Sequence, residues 1–187
     1  MLIGASTGAP RTHHRYLGEV PRSLAASIVI VQHMPAGPFI EGVLRHLRRS
    51  VAVPVKLAEN GDTLQPGRVL IAVPGSQLRF DRLARTARVA RSRGENYFSP
   101  SINVTFSSAA AVFGSRCCAV MTSGLHADHD GLAGCRAVRA AGGQVIVTTP
   151  ETTPCYRMVH QLRQEGAFDT EAPLPRILQV AARWLRS

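Results

Sequence analysis

Residues 2–8 read LIGASTG, two apolar residues followed by a serine between two glycines. The apolar start is typical of a short strand, and the glycines allow the backbone to turn sharply after it. Hydrolases expose a nucleophile on this kind of G-x-S-x-G turn between a strand and a helix. The stretch therefore predicts a strand, a turn and a helix, with Ser6 as a candidate nucleophile. A flexible loop or a phosphate cradle also fits the glycines, although no lysine follows where a P-loop needs one.

Further along the chain, short apolar runs alternate with segments of helix length. The runs are rich in β-branched residues and bounded by Gly, Pro or polar residues, as strands are. They cover residues 28–31, 53–57, 69–73, 117–121 and 145–147. The helical segments are residues 39–47, with Phe39, Val43, Leu44 and Leu47 on one face, then 102–112, 132–141 and 174–185. This alternation indicates parallel βαβ units.

The middle of the chain has a different pattern. Turn signals occur at residues 60–62 and 66–67, and residues 78–91 alternate apolar with charged side chains, as a half-exposed hairpin does. We expect a single three-layer α/β domain over residues 1–187, with a doubly wound, mostly parallel sheet and an antiparallel hairpin.

Composition narrows the class of protein. A chain of 187 residues with 45% hydrophobic residues is long enough for one substantial core. No run reaches membrane-spanning length and no signal-peptide pattern opens the chain, so we expect a cytoplasmic protein without membrane insertion. The four cysteines lack the spacing of a zinc site, and buried free thiols are expected.

The net charge of +10 indicates an acidic partner or a solvated basic face. Arginines concentrate at residues 45–49 and 79–93, with few aromatic residues between them. Proteins that bind nucleic acid usually interleave aromatic residues for base stacking. The pattern therefore favours an acidic protein partner and no nucleic acid.

Candidate catalytic side chains follow three of the predicted strands. Ser6 follows the first strand, His33 follows residues 28–32, and Asp128 and Asp130 follow residues 117–121. The carboxyl ends of parallel strands meet at one crevice near the switch point of the sheet, which would bring a Ser-His-Asp set together. The chain order Ser, His, Asp differs from that of the α/β-hydrolases, so another fold family is indicated.

Five motifs occur together in a fixed order along nearly the whole chain. They are GASTG (residues 4–8), QHMP (32–35), NGD with PG (60–62 and 66–67), PSIN (100–103) and DGLAG (130–134). This combination resembles the catalytic domain of chemotaxis protein-glutamate methylesterases, the CheB family. The resemblance implies a doubly wound domain and a serine esterase that hydrolyses glutamate methyl esters on the cytoplasmic helices of methyl-accepting chemoreceptors. It also implies glutamine deamidation in many members, and no cofactor or metal.

The resemblance implies that Ser6 is the nucleophile, His33 the general base and Asp130 the residue that orients the imidazole. The backbone N–H of Thr7, next to the nucleophile at a helix start, is the expected oxyanion donor. The loop before the aspartate is longer than the family pattern. Counting from Gly124 selects Asp128 as the orienting residue, whereas the retained D-G-x-x-G context selects Asp130, which we prefer.

Other positions depart from the family pattern near the expected crevice. Asn103 replaces an aspartate, and Tyr156, Arg157 and Met158 stand where the family has Tyr-Gly-Met; these three are expected to bind substrate. The usual receiver domain of the family is not in this sequence, so residues 1–187 are expected to form the catalytic domain alone.

Two other functions fit the same residues. An impaired family member could bind a receptor or signalling partner without catalysis. A metal-dependent hydrolase could use the ligand types at His126, Asp128, His129 and Asp130, although four ligands so close in sequence rarely form one tetrahedral site. The remaining histidines show no partner in the sequence and are expected on the surface or on a helix face; they include His13, His14, His46 and His160.

Overall fold

Strands that are apolar on both faces form the centre of the molecule. The structure is a computed structural model that describes residues 1–18, 20, 24–93, 98–125 and 130–186. Its strands are β1 (Leu2–Ala5), β2 (Ile28–Gln32), β3 (Val55–Leu57), β4 (Val69–Ile71), β5 (Ser76–Phe80), β6 (Ala87–Arg91), β7 (Cys118–Ser123), β8 (Gln144–Thr148) and β9 (Thr170–Ala172). Its α-helices are α1 (His13–Leu17), α2 (Phe39–Ser50), α3 (Ile102–Phe113), α4 (Leu132–Ala140), α5 (Arg157–Gln164) and α6 (Ile177–Trp184).

Seven strands form one sheet in the order β3-β4-β2-β1-β7-β8-β9, and all neighbouring pairs are parallel. Side chains along each strand alternate between two cores. In β2, Ile28 and Ile30 enter one core and Val29 and Val31 enter the other. A sheet buried on both faces explains why its strands read as continuous apolar runs.

Helices cover both faces of this sheet. α1, α2 and α6 contribute buried residues to one core, and α3, α4 and α5 contribute to the other. The chain leaves β1 through α1 towards β2, and it leaves β7 through α4 towards β8 on the opposite side. The carboxyl ends of β1 and β7 are therefore the switch point of a doubly wound sheet, as expected.

β5 and β6 form the expected antiparallel hairpin, which packs on α3. The Thr105 hydroxyl donates to the Leu78 carbonyl at 3.0 Å, and the Phe80 N–H donates to Ser108 Oγ at 2.8 Å. These bonds fix the hairpin against the helix that carries part of the candidate site.

Some sequence expectations need correction or completion. In α2 the buried residues are Ile40, Leu44 and Leu47, whereas Phe39 is 70% exposed. Positions 40, 44 and 47 share one helical face, and Phe39 is the first residue of the helix and lies outside that face.

Three of the four free cysteines are buried as expected and Cys155 is half-buried. No α-helix in the described ranges is long and apolar enough to cross a membrane.

Gly134 allows α4 to pack closely on α3. A Cβ atom at this position would lie 2.7 Å from Phe106 Cβ and 3.1 Å from Asn103 Cα. We expect Gly134→Ala to destabilise the domain by about 1–3 kcal/mol through overpacking. Urea unfolding measures the change.

Gly42, an exposed glycine inside α2, is the matched control because nothing lies within 4 Å of its added Cβ. Gly42→Ala should stabilise the domain by roughly 0.5–1 kcal/mol through helix propensity. Equal effects of the two substitutions would contradict the packing argument.

Candidate active site

Ser6 and His33 lie level with each other at the carboxyl ends of β1 and β2. Ala5 pairs with Gln32 in the parallel register, and the His33 N–H donates to the Ala5 carbonyl at 2.8 Å. Gly8 has φ +85°, and a Cβ there would lie 2.9 Å from Pro154 Cβ. The turn after Ser6 therefore requires glycine.

A cleft of about 490 Å³ opens between these two strand ends. It is lined by Ser6, Thr7, His33, Met34, Pro35, Ala36, Gly75, Phe98 and Ser99. Thr7 is exposed, and its carbonyl accepts a hydrogen bond from Ser123 Oγ at 2.6 Å. Its backbone N–H makes no hydrogen bond to another residue in the described ranges, so it is available at the cleft.

The imidazole of His33 is fixed on one edge and on one face. Its Nε2 atom lies 2.6 Å from Asp130 Oδ2, and the Phe98 ring stacks on it with centroids 4.0 Å apart and planes parallel. In the neutral ring, Nε2 carries the proton that the carboxylate accepts, and Nδ1 keeps its lone pair. Nδ1 is buried and has no hydrogen-bond partner among the described residues.

The carboxylate of Asp130 is buried at the start of α3. Its Oδ1 accepts from Ser101 Oγ and from the Asn103 N–H, both at 2.8 Å, and its Oδ2 accepts from the Ile102 N–H at 2.7 Å. Burial alone would raise the pKa of Asp130. The hydrogen bonds from His33, Asn103 and Ser101 outweigh burial and hold that pKa below its usual value. The group is therefore an anion at neutral pH.

Asn103 connects this carboxylate to the next helix. Its Oδ1 accepts from the Gly131 N–H at 2.9 Å and from the Gly134 N–H at 2.8 Å, which satisfies donors at the start of α4. The amide oxygen of Asn103 accepts both hydrogen bonds without placing a second negative charge next to Asp130. The departure from an aspartate at position 103 is thus compatible with an intact site.

Gln77 holds the loop on the other side of the imidazole. Its Oε1 accepts from the Ser101 N–H at 2.9 Å, and its Nε2 donates to the Phe98 carbonyl at 2.8 Å and to Ser99 Oγ at 3.2 Å. The buried amide of Gln77 thus positions both Phe98, whose ring stacks on His33, and Ser101, whose hydroxyl contacts Asp130. Nothing in the sequence marked Gln77, because its partners are more than 20 residues away.

A second buried network lies behind Ser6. Gln32 Nε2 donates to the carbonyls of Ser6 at 3.0 Å and His33 at 2.9 Å, and Gln32 Oε1 accepts from His13 Nε2 at 2.9 Å. The Tyr16 hydroxyl donates to His13 Nδ1. His13 is fully buried on α1, so of the two expected positions it takes a helix face and not the surface. Burial lowers the pKa of His13 to about 4, and the ring is neutral.

The residues expected to bind substrate lie beside this cleft rather than in its lining. Met158 is buried under Gly124, whose added Cβ would lie 2.9 Å from the Met158 side chain. Tyr156 is half-buried and accepts a hydrogen bond from Arg163, and Arg157 is exposed at the first turn of α5. Substrate contact by these three residues stays a prediction.

The structure does not favour Asp130 as a metal ligand. Both oxygens of Asp130 accept hydrogen bonds from protein donors. Within the described ranges no group of three or more His, Cys, Asp or Glu side chains could hold a metal ion. His126, Asp128 and His129 lie outside the described residues. The alternative in which Asp128 orients the imidazole therefore stays a prediction.

The family model described as CheB methylesterase matches residues 1–180. The chain belongs to the CheB methylesterase family. It is also similar to the crystal structure of the Thermotoga maritima CheB methylesterase catalytic domain, with a TM-score of 0.90, 30% identity and coverage of 97% of this chain and 96% of that one.

Curated relatives in the family carry the name protein-glutamate methylesterase/protein-glutamine glutaminase. One from Myxococcus xanthus is 34% identical over 100% of this chain and 53% of its own length. One from Moorella thermoacetica is 36% identical over 93% of this chain and 41% of its own length. The chain thus spans about half the length of the curated relatives it matches.

The buried His13 predicts a pH-dependent stability. Its pKa is about 4 in the folded protein and 6.5 in the unfolded chain, so the unfolded chain binds more protons between these values. His13 should therefore lower the free energy of unfolding as pH falls from 6.5 to 4. Urea unfolding across this range, compared with His13→Gln, measures the contribution. An equal loss in both proteins would assign the pH dependence to other groups.

Proposed function

We propose that this chain hydrolyses glutamate methyl esters on the cytoplasmic helices of chemoreceptors through a Ser6 acyl-enzyme. The observation that carries the proposal is the 2.6 Å contact of Asp130 with His33, which lines the same cleft as Ser6 within a CheB-family fold. The names of the curated relatives support the same reaction and, with ammonia as the leaving group, glutamine deamidation.

In the proposed reaction, Ser6 Oγ attacks the ester carbonyl and His33 Nδ1 takes the hydroxyl proton. The proton then passes to the departing methoxide, which leaves as methanol. Water attacks the acyl-enzyme by the same route and releases glutamate and Ser6. The free Nδ1 lone pair supports this role for His33, because Nε2 is held by Asp130.

Ser6 and His33 are not hydrogen bonded to each other in this structure, since His33 Nδ1 has no partner among the described residues. Catalytic hydrogen bonds are often long in unliganded enzymes and tighten when substrate binds. Ser6 and His33 each follow one of the paired residues that end the adjacent strands β1 and β2, which supports such a contact. Asp130 would stabilise the imidazolium that forms when His33 accepts the proton.

The Thr7 N–H is the proposed oxyanion donor. It lies directly after the nucleophile, and no described residue accepts a hydrogen bond from it. A donor without an internal partner can bond to the negative oxygen of the tetrahedral intermediate, where it stabilises the transition state most.

The surroundings of the cleft suit a protein helix as substrate. Residues 35–39 are all exposed and read PAGPF, with Phe39 70% exposed. An apolar rim beside a nucleophile can pack against the side chains that flank the ester. The net charge of +10 favours an acidic surface.

Release of methanol from a methyl-esterified receptor cytoplasmic fragment tests the proposal. Ser6→Ala should lower kcat at least about a thousandfold, because the variant lacks the proposed nucleophile. Asp130→Asn should lower kcat by roughly a hundredfold to ten-thousandfold, because the imidazole loses its orienting carboxylate. Asp128→Asn, with the same change of charge two residues earlier in the sequence, is the matched control and should retain activity.

Loss of activity in Asp128→Asn but not in Asp130→Asn would overturn the assignment of the aspartate. A folded wild-type chain that binds methylated fragments from several receptors but releases no methanol would favour the binding module without catalysis.

A further inference from the structure

The hairpin formed by β5 and β6 carries a strong local positive charge. Within residues 76–93 there are six arginines and a single acidic residue, Asp81. All six arginines are exposed; they are Arg79, Arg82, Arg85, Arg88, Arg91 and Arg93. We call residues 76–93 the arginine hairpin.

Ion pairs with the described residues leave most of this charge without a partner. Arg88 pairs with Asp81 at 3.0 Å, whereas Arg79 and Arg82 make no ion pair with any described residue. Arg79 also lies directly opposite Arg88 in the antiparallel register. Like charges in this position destabilise a hairpin, so folding alone does not account for them.

The arginine hairpin borders a groove whose lining includes Asn103, near the start of α3. The groove has a volume of about 550 Å³ and runs between β5 and α3, with Arg79 and Arg82 on one wall and Asn103 and Ser107 on the other. The Asn103 N–H donates to Asp130, so this end of the groove adjoins the carboxylate that holds His33.

The start of β5, at the Asn103 end of the groove, also lies close to the candidate active site. Gly75, the residue before β5, lines the cleft that contains Ser6. Gln77 within β5 bonds to the loop that carries Phe98. A rigid ligand that reaches Ser6 can therefore extend over the arginine hairpin.

We propose that the arginine hairpin docks an acidic helical segment of the protein substrate, with Arg79 and Arg82 pairing with carboxylates in the groove while a neighbouring ester enters the cleft at Ser6. The proposal rests on the proposed function, whose substrate is a receptor helix that carries a glutamate methyl ester. Guanidinium groups suit carboxylates because they form two parallel hydrogen bonds with them.

Charge and composition select this partner over a nucleic acid. The aromatic side chain in the described part of the arginine hairpin, Phe80, is buried, so it offers no surface for base stacking. Binding driven by exposed charges should weaken as salt rises, mainly through slower association.

The experiment measures binding of a methyl-esterified receptor cytoplasmic fragment to the Ser6→Ala chain over a range of salt concentrations. Arg79→Gln/Arg82→Gln in this background should raise Kd about tenfold at low salt, roughly threefold for each exposed charge pair. The slope of log Kd against log salt should also become shallower.

Arg176→Gln/Arg183→Gln is the matched control. It removes the same charge from exposed positions immediately before and within α6, on the opposite face of the sheet. This control should change Kd less than about twofold if docking is local and net charge contributes little. Urea unfolding of both double variants verifies that each is folded.

Equal effects of the two double variants, or no effect of Arg79→Gln/Arg82→Gln, would refute the docking surface. Tighter binding of a single-stranded polynucleotide than of the receptor fragment at the same residues would also refute it. Methanol release by the wild-type chain is measured separately. Its absence would refute the proposed esterase, whereas the binding comparison would still decide the docking surface.

Discussion

The Asp130 carboxylate accepts four hydrogen bonds at the start of α3, from His33, Ser101, Ile102 and Asn103. A buried anion is unfavourable unless such donors compensate for lost hydration. Three of these donors come from the segment that begins α3, and the fourth is the imidazole at the end of β2. The same group therefore fixes the helix relative to the sheet and fixes His33 relative to both. A site built in this way depends on packing far from the cleft, including the close approach of α4 at Gly134.

The doubly wound sheet supplies the remaining geometry. Ser6 and His33 lie level because β1 and β2 are parallel and in register, and Asp130 follows β7 on the other side of β1. Two buried amides then hold the segments that follow or connect these strands. Gln32 holds the backbone on both sides of the cleft, and Gln77 holds the loop with the ring that stacks on His33. Neutral amides suit these positions because they satisfy several buried groups without adding charge.

Much of this arrangement follows from sequence patterns. The apolar runs predicted the central strands, the alternation after Ser76 predicted the hairpin, and the motif order predicted the family. Patterns along the chain could not pair His13 with Gln32, or Gln77 with Ser101, because these contacts join distant segments through the fold. Helical spacing grouped Phe39 with Leu44 and Leu47 on one face, but it did not reveal that Phe39 begins α2 outside the buried face. The retained D-G-x-x-G context favoured Asp130, but only the packing of α3 explains why that carboxylate is fixed.

In the proposed mechanism, Asp130 holds His33 through Nε2, and Nδ1 is the base. Nitrogen-15 NMR of the imidazole in the folded wild-type chain, at mildly alkaline pH, tests it most directly. We expect a protonated Nε2 with the chemical shift of a strong hydrogen bond and an unprotonated Nδ1, and we expect Asp130→Asn to abolish this bond. A protonated Nδ1 in the wild-type chain, or ring signals that do not change in Asp130→Asn, would contradict it.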